Sequence, residues 1–229
     1  MSNQASIRLK GNFFADPEFF RTDVTKGVTR TPTGTRICTL PPEFLIGLRD
    51  ALIYECGKSY RQIMKVAGRH WGVQFAKRLE RELTTFYQTP FCQLPVGIIR
   101  TCLGEAFRAH GYGALTLTPL IDSEEFILAE VRDPLLPSLV GESDRPVDLL
   151  MAGMLGAVMS HLSGRTLDAV QSDCPTMGAD RSRFIIGPAA DIADVEKWID
   201  EEPQMPTHDS IVSRITRRFQ SRAVKAASS

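Results

Sequence analysis

The chain has 229 residues, 27 basic and 27 acidic side chains, zero net charge and an apolar fraction of 43%. That is too apolar and too weakly charged for a disordered protein, and the neutrality speaks against a dedicated nucleic-acid binder. The length fits one large domain, or one domain with extensions, that needs no disulfide or metal to fold.

Residues 1–12 are polar, with no apolar core and no cleavage-like signal. Phe13 to Phe20 then holds four of the twelve Phe residues. It reads as an arm stapled onto the core, or else as a contact for a partner or ligand. Val24 to Leu40 alternates β-formers with the turns Lys26-Gly27 and Pro32-Thr33-Gly34, which predicts one or two hairpins. Pro41-Pro42 opens a helix whose apolar positions are Phe44, Leu45, Leu48, Leu52 and Ile53. A second helix is predicted from Ser59 to Phe86, bent near Gly68 or Gly72. Its run Lys77 to Glu82 reads as a solvated face. A third spans Val96 to His110, with Gly111 as its C-cap.

The period then becomes two. Leu115 to Thr118 and Glu125 to Val131 read as an antiparallel pair. Glu124-Glu125 is no acid/base dyad, because neighbouring strand residues face opposite sides. Pro146 opens a fourth helix, Val147 to Leu162, apolar nearly all round and therefore buried. Gly153 and Gly156 in its interior each cost roughly 1 kcal/mol against alanine, which predicts close packing on a strand or ligand. Arg165 to Gln171 and Arg183 to Ile186 are strands flanking the turn at Pro175 to Gly178. Asp191 to Asp200 is a short acidic helix. From Ser210 onward no acid occurs, and Ile211, Ile215 and Phe219 form the apolar stripe of a basic helix. That helix either packs on its own domain or a second subunit, or meets a membrane surface or acidic partner.

No nucleotide-binding, zinc-protease or hydrolase motif occurs. Five scattered cysteines form no C-x-x-C pair, and no apolar stretch reaches the ~20 residues of a bilayer span. A soluble cytoplasmic protein follows, with a peripheral membrane contact as an option. Of the histidines, His70 and His161 sit among apolar residues as core or rim groups. His161 holds more interest, because its helix is predicted to line a cavity.

The most distinctive stretch is Cys174 to Phe184. With the helix from Pro146 to Gly164, it resembles the 4-vinyl reductase domain family, whose motif is E-x-x-C-x-x-x-G-x-x-x-C-x-F. Cys174, Gly178 and Phe184 match. Gln171 stands at the glutamate and Ser182 at the second cysteine. The glycines from Gly57 to Gly72, and Gly111-Tyr112-Gly113, add to the likeness, which covers about 40–186. In the phenol-sensing regulators of this family those cysteines, the glutamate and an upstream cysteine hold zinc. The upstream position falls on Asp148, so zinc is not expected here. A site from Asp148, Cys174 and a carboxylate such as Glu130 is the remaining metal option.

The resemblance implies an α+β fold: a small antiparallel sheet packed against a helical layer, like the small subunits of vesicle-tethering complexes, often dimeric. An N-terminal hairpin arm (1–40) precedes the ligand-binding domain (41–190), and an acidic segment with the basic helix (191–229) follows. Family members bind aromatic effectors, acyl chains or tetrapyrroles. The leading expectation is therefore a non-enzymatic carrier, sensor or pigment-assembly factor holding an apolar ligand, a tetrapyrrole among the candidates. Its pocket would be lined by Trp71, Phe75, Phe86, Leu150, Met154, Val158 and His161, with His161 meeting a pigment metal or carbonyl. The alternatives are a vinyl reductase of chlorophyll synthesis and an interaction module. A homodimer or protein partner would use Phe13 to Phe20 and the basic tail; no nucleic acid is expected.

Overall fold

The computed structural model describes residues 13–16, 18–121 and 123–227. The polar stretch 1–12 and the side chains of Glu124, Arg222 and Lys225 lie outside the described residues. The short β-forming runs near the N-terminus build a small antiparallel sheet from β1 (Arg21–Asp23), β2 (Val28–Arg30) and β3 (Arg36–Ile37). Three threonine hydroxyls from this region, on Thr31, Thr33 and Thr35, converge on Oε1 of the buried Glu82. The shortest of these bonds comes from Thr33, at 2.9 Å. Glu82, expected on a solvated face, is thus the dock for the N-terminal sheet. The hydroxyls offset the cost of burying its charge.

Three helices follow: α1 (Pro42–Cys56), α2 (Tyr60–Tyr87) and α3 (Val96–Ala109). α1 begins where expected, with proline in its first turn, yet buries none of its residues. α2 is one continuous helix. Its glycines mark a crossing with α4 (Leu149–Ser163) rather than a bend. A Cβ on Gly68 would overlap the Leu150 carbonyl, and one on Gly153 would overlap the Lys65 carbonyl. Backbone therefore meets backbone, and the helix-propensity cost of Gly153 is recovered as close packing. Gly156 does the same against the backbone at Ala169, where a Cβ would lie 2.9 Å from the Ala169 nitrogen. α4 starts two residues later than the expected Val147, because Asp148 is its N-cap and accepts the Met151 N–H at 3.1 Å.

The main sheet comprises β4 (Ala114–Ile121), β5 (Ser123–Arg132), β6 (Leu167–Asp173) and β7 (Ser182–Pro188) in the order β4-β5-β7-β6, all antiparallel. The architecture is the expected α+β one. Register places Leu117 opposite Ala129, Ala129 opposite Phe184 and Phe184 opposite Gln171, so these four share one face. α3 and α4 cover that face, with α2 packed on α4, around a core that includes Leu115, Val131 and the fully buried Phe184.

The other face carries Phe126, Val170 and Ile185. α5 (Ala189–Glu201) and α6 (His208–Ala227) cover it with Ile192, Val195, Ile199, Ile211 and Ile215. The apolar stripe of the basic helix is thus spent on the chain's own sheet. Without it Phe126, Val170 and Ile185 would face water. The charged sides of α5 and α6 also meet. Arg218 pairs with Asp194 at 2.6 Å, Arg214 pairs with Glu202, and the Arg214 guanidinium stacks over Trp198.

The aromatic arm resolves the same way. Phe13, Phe14 and Phe19 are buried, with edge-to-face contacts of 5.0 Å and 5.3 Å from Phe13 to the other two. Each such burial contributes roughly 1.5–3 kcal/mol. These three rings therefore serve the core. Among the described residues, no helix is long and apolar enough to cross a membrane.

Candidate functional site

A cavity of about 660 Å³ lies between the N-terminal sheet with α1 on one side and α2, the α3–β4 turn and the start of α4 on the other. Its walls are mostly apolar, with Ile37, Leu45, Leu136 and Leu150 among them. This explains why α1 has an apolar face and no buried residue: Leu45 and Pro42 close a space rather than pack a core.

One wall is a continuous run of aromatic rings. Phe20 meets His110 edge-on at 5.2 Å, His110 stacks on Tyr112 at 5.4 Å, and Tyr112 meets Trp71 edge-on at 5.1 Å. Gly113 lets the chain turn there. It has φ +106°, and a Cβ would lie 2.5 Å from the Arg132 carbonyl oxygen. His110 is fixed by two bonds. Its Nδ1 donates to the Ala106 carbonyl at 2.7 Å, and Nε2 accepts from the Arg78 guanidinium at 3.2 Å. A carbonyl only accepts and a guanidinium only donates, so the ring is the neutral Nδ1–H tautomer. Burial pushes its pKa down to about 4. Burial likewise raises the Tyr112 phenol.

Asp148 lines the same cavity. It is 4% exposed, and burial raises its pKa to about 7 against the opposing Met151 N–H bond. Oδ1 accepts that N–H, whereas Oδ2 has no hydrogen-bond partner among the described residues. The backbone N–H of Asp148 donates to Gln171 Oε1 at 2.8 Å, and Gln171 Nε2 donates to Ser182 Oγ at 3.0 Å.

The structure thus brings Asp148, Gln171 and Ser182 into one chain of hydrogen bonds. It fastens the start of α4 to β6 and β7. Cys174 is buried, with its Sγ 3.0 Å from Thr176 Oγ1, and burial raises its pKa. Gly178 closes the turn at φ +93°, and Phe184 packs in the core. Glu130 faces Arg181 and Arg183, each at 3.5 Å, and does not join Asp148 and Cys174. Among the described residues, no group of three His, Cys, Asp or Glu side chains is placed to hold a metal.

Of the seven residues expected to line a pocket, Trp71 and Leu150 do. Met154 and Val158 are fully buried in the helix–sheet core. Phe75 packs near Phe107, and Phe86 packs against Phe13. His161 lies elsewhere, with Nε2 2.7 Å from Glu80 Oε2 in a link between α4 and α2. These five miss the cavity because it opens at the first turn of α4, whereas Met154 to His161 run away from it. His110, Tyr112 and Asp148 were legible only as a helix end, a glycine-flanked tyrosine and a motif departure.

No family model matches the chain, and no curated protein matches it. Solved structures do. The chain is similar to the phenol-responsive sensory domain of the transcription activator PoxR, crystallised with phenol. The TM-score is 0.60 and the identity 19%, over 80% of this chain and 88% of that one. A vinyl-4-reductase family protein from Methanocaldococcus jannaschii aligns at TM-score 0.43 and 11% identity, over 66% of this chain and 82% of that one. A trafficking protein particle complex subunit 3 from Naegleria fowleri, covalently bound to palmitic acid, aligns at TM-score 0.45 and 14% identity, over 64% and 93%. At 19% identity, the PoxR likeness is one of fold.

Proposed function

We propose that this chain is a binding protein for a small apolar molecule, which it holds without chemical change under the N-terminal sheet. The observation that carries this reading is the cavity of about 660 Å³ with its aromatic wall. Small-molecule sites span roughly 300–1,000 Å³ and are mostly apolar with a few placed polar groups. The fold likeness to a sensory domain crystallised with phenol supports the same class of ligand. Of the ligands the family resemblance implies, a compact aromatic compound suits these walls best. A tetrapyrrole is less favoured, because His161, expected to meet its metal, is engaged by Glu80 instead. Both His110 nitrogens are already committed, so this ring serves as wall and not as base.

Titration with ethylbenzene, followed by calorimetry and indole fluorescence, tests the reading. Saturable binding is expected, and Leu150→Trp, which fills the cavity, should block it. Mass spectrometry of protein purified from its native host would reveal a retained ligand. A ligand-free protein that binds no such probe overturns the proposal.

A further inference from the structure

The cavity is apolar on most sides, yet one of its walls carries an acid. Asp148 is 4% exposed, and its side chain uses Oδ1 to cap α4. Oδ2 has no protein partner among the described residues, while the residue itself faces the cavity. Oδ2 keeps accessible surface at the cavity, so it is placed to accept from a ligand. The buried or half-buried cations nearby are engaged elsewhere: Lys65 is held by Asp168 at 2.9 Å and by Glu196, and Arg61 by Asp200 at 3.1 Å. Another wall of the cavity is aromatic, with Trp71 and Tyr112 edge-to-face.

We propose that the ligand is an aromatic molecule bearing a hydrogen-bond donor, best a cationic amine, that meets Asp148 Oδ2 while its ring lies on the Trp71–Tyr112 wall. This deepens the binding reading and rests on it. The ligand's donor supplies the partner that the fold withholds from Oδ2. The α4 N-terminus, through the Met151 N–H, steadies the carboxylate charge that an ammonium would face. The apolar walls strengthen the pairing by keeping water away.

The test exploits the cap. Asp148→Asn keeps a side-chain oxygen to cap α4, since asparagine caps as well as aspartate. The amide NH₂ it introduces replaces Oδ2, turning an acceptor into a donor. This variant should therefore fold and reject the amine. Asp148→Ser, also a good cap, removes the second oxygen altogether. The probes are 2-phenylethylamine and ethylbenzene, similar in shape, titrated by calorimetry into the full chain and both variants.

We expect the wild type to bind the amine at least about tenfold more tightly than ethylbenzene, as a charge-assisted bond implies. Both variants should lose that preference and bind the two probes about equally. Ethylbenzene binding with no preference for the amine overturns this inference and leaves the cavity reading standing. A preference that survives both substitutions does the same. Failure of the wild type to bind either probe overturns both.

Discussion

The backbone N–H of Asp148 donates to the side-chain oxygen of Gln171 at 2.8 Å, tying the first turn of α4 to the middle of β6. The other end of the same amide donates to Ser182 on β7. Gln171 is 1% exposed, so neither partner can turn to water if it is lost. Gln171→Met keeps the volume and removes both bonds. It should cost about 1–3 kcal/mol in urea unfolding, the usual penalty for stranding buried polar groups. A midpoint unchanged from the wild type would show that the network contributes nothing.

The crossing of α2 and α4 depends on glycine. Gly68→Ala and Gly153→Ala each place a methyl group into backbone that cannot move without parting the helices. Losses of roughly 3 kcal/mol or more are expected, or failure to fold. Gly47→Ala on α1 and Gly97→Ala on α3 are the controls, since a Cβ at either position meets nothing within 4 Å. They should be neutral or gain about 0.5–1 kcal/mol. Equal effects at all four positions would contradict the close approach.

One carboxylate gathers three threonines of the N-terminal sheet region. Glu82→Ala takes the common acceptor from Thr31, Thr33 and Thr35. Hydrogen exchange should accelerate in β1–β3 while β6 and β7 keep their protection. Uniform acceleration would mean that the sheet is not a separately held unit.

Two buried groups pull stability in opposite directions with pH. Asp148 titrates at about 7 when folded, above its ordinary 3.8, so its contribution is full below about pH 3.8 and is lost as pH rises to about 7. His110 titrates at about 4, below its ordinary 6.5, so stability is lost as pH falls from 6.5 to 4. Asp148→Asn removes only the first effect. Its stability relative to the wild type should rise between pH 4 and pH 7, by on the order of a few kcal/mol. Parallel pH–stability curves for the two proteins would refute the assignment.

Burial rather than charge should hold α6. Ile211 is fully buried, and Ile211→Ala should cost roughly 2–5 kcal/mol. Arg218→Ala breaks an ion pair whose side chains are 42% and 32% exposed, and should cost at most about 1 kcal/mol. Thermal unfolding of the two variants decides between packing and pairing.

Periodicity by itself determined the helices and the period-two strands, because each element must turn an apolar face inward wherever it ends up; the α+β class was what the family resemblance implied. Periodicity also showed that Gly153 needs a close neighbour. Composition showed an acidic segment beside a basic one. Tertiary structure alone decided that Asp194 and Arg218 are each other's partners, and that the stripe on α6 covers the second face of the sheet. It alone placed Glu82 under three threonines 47–51 residues away and opened a cavity at the first turn of α4 rather than along its length. Local pattern says which side of a helix is apolar. Whether that side meets packed neighbours, as Met154 does, or an open space, as Leu150 does, depends on contacts between elements far apart in the chain.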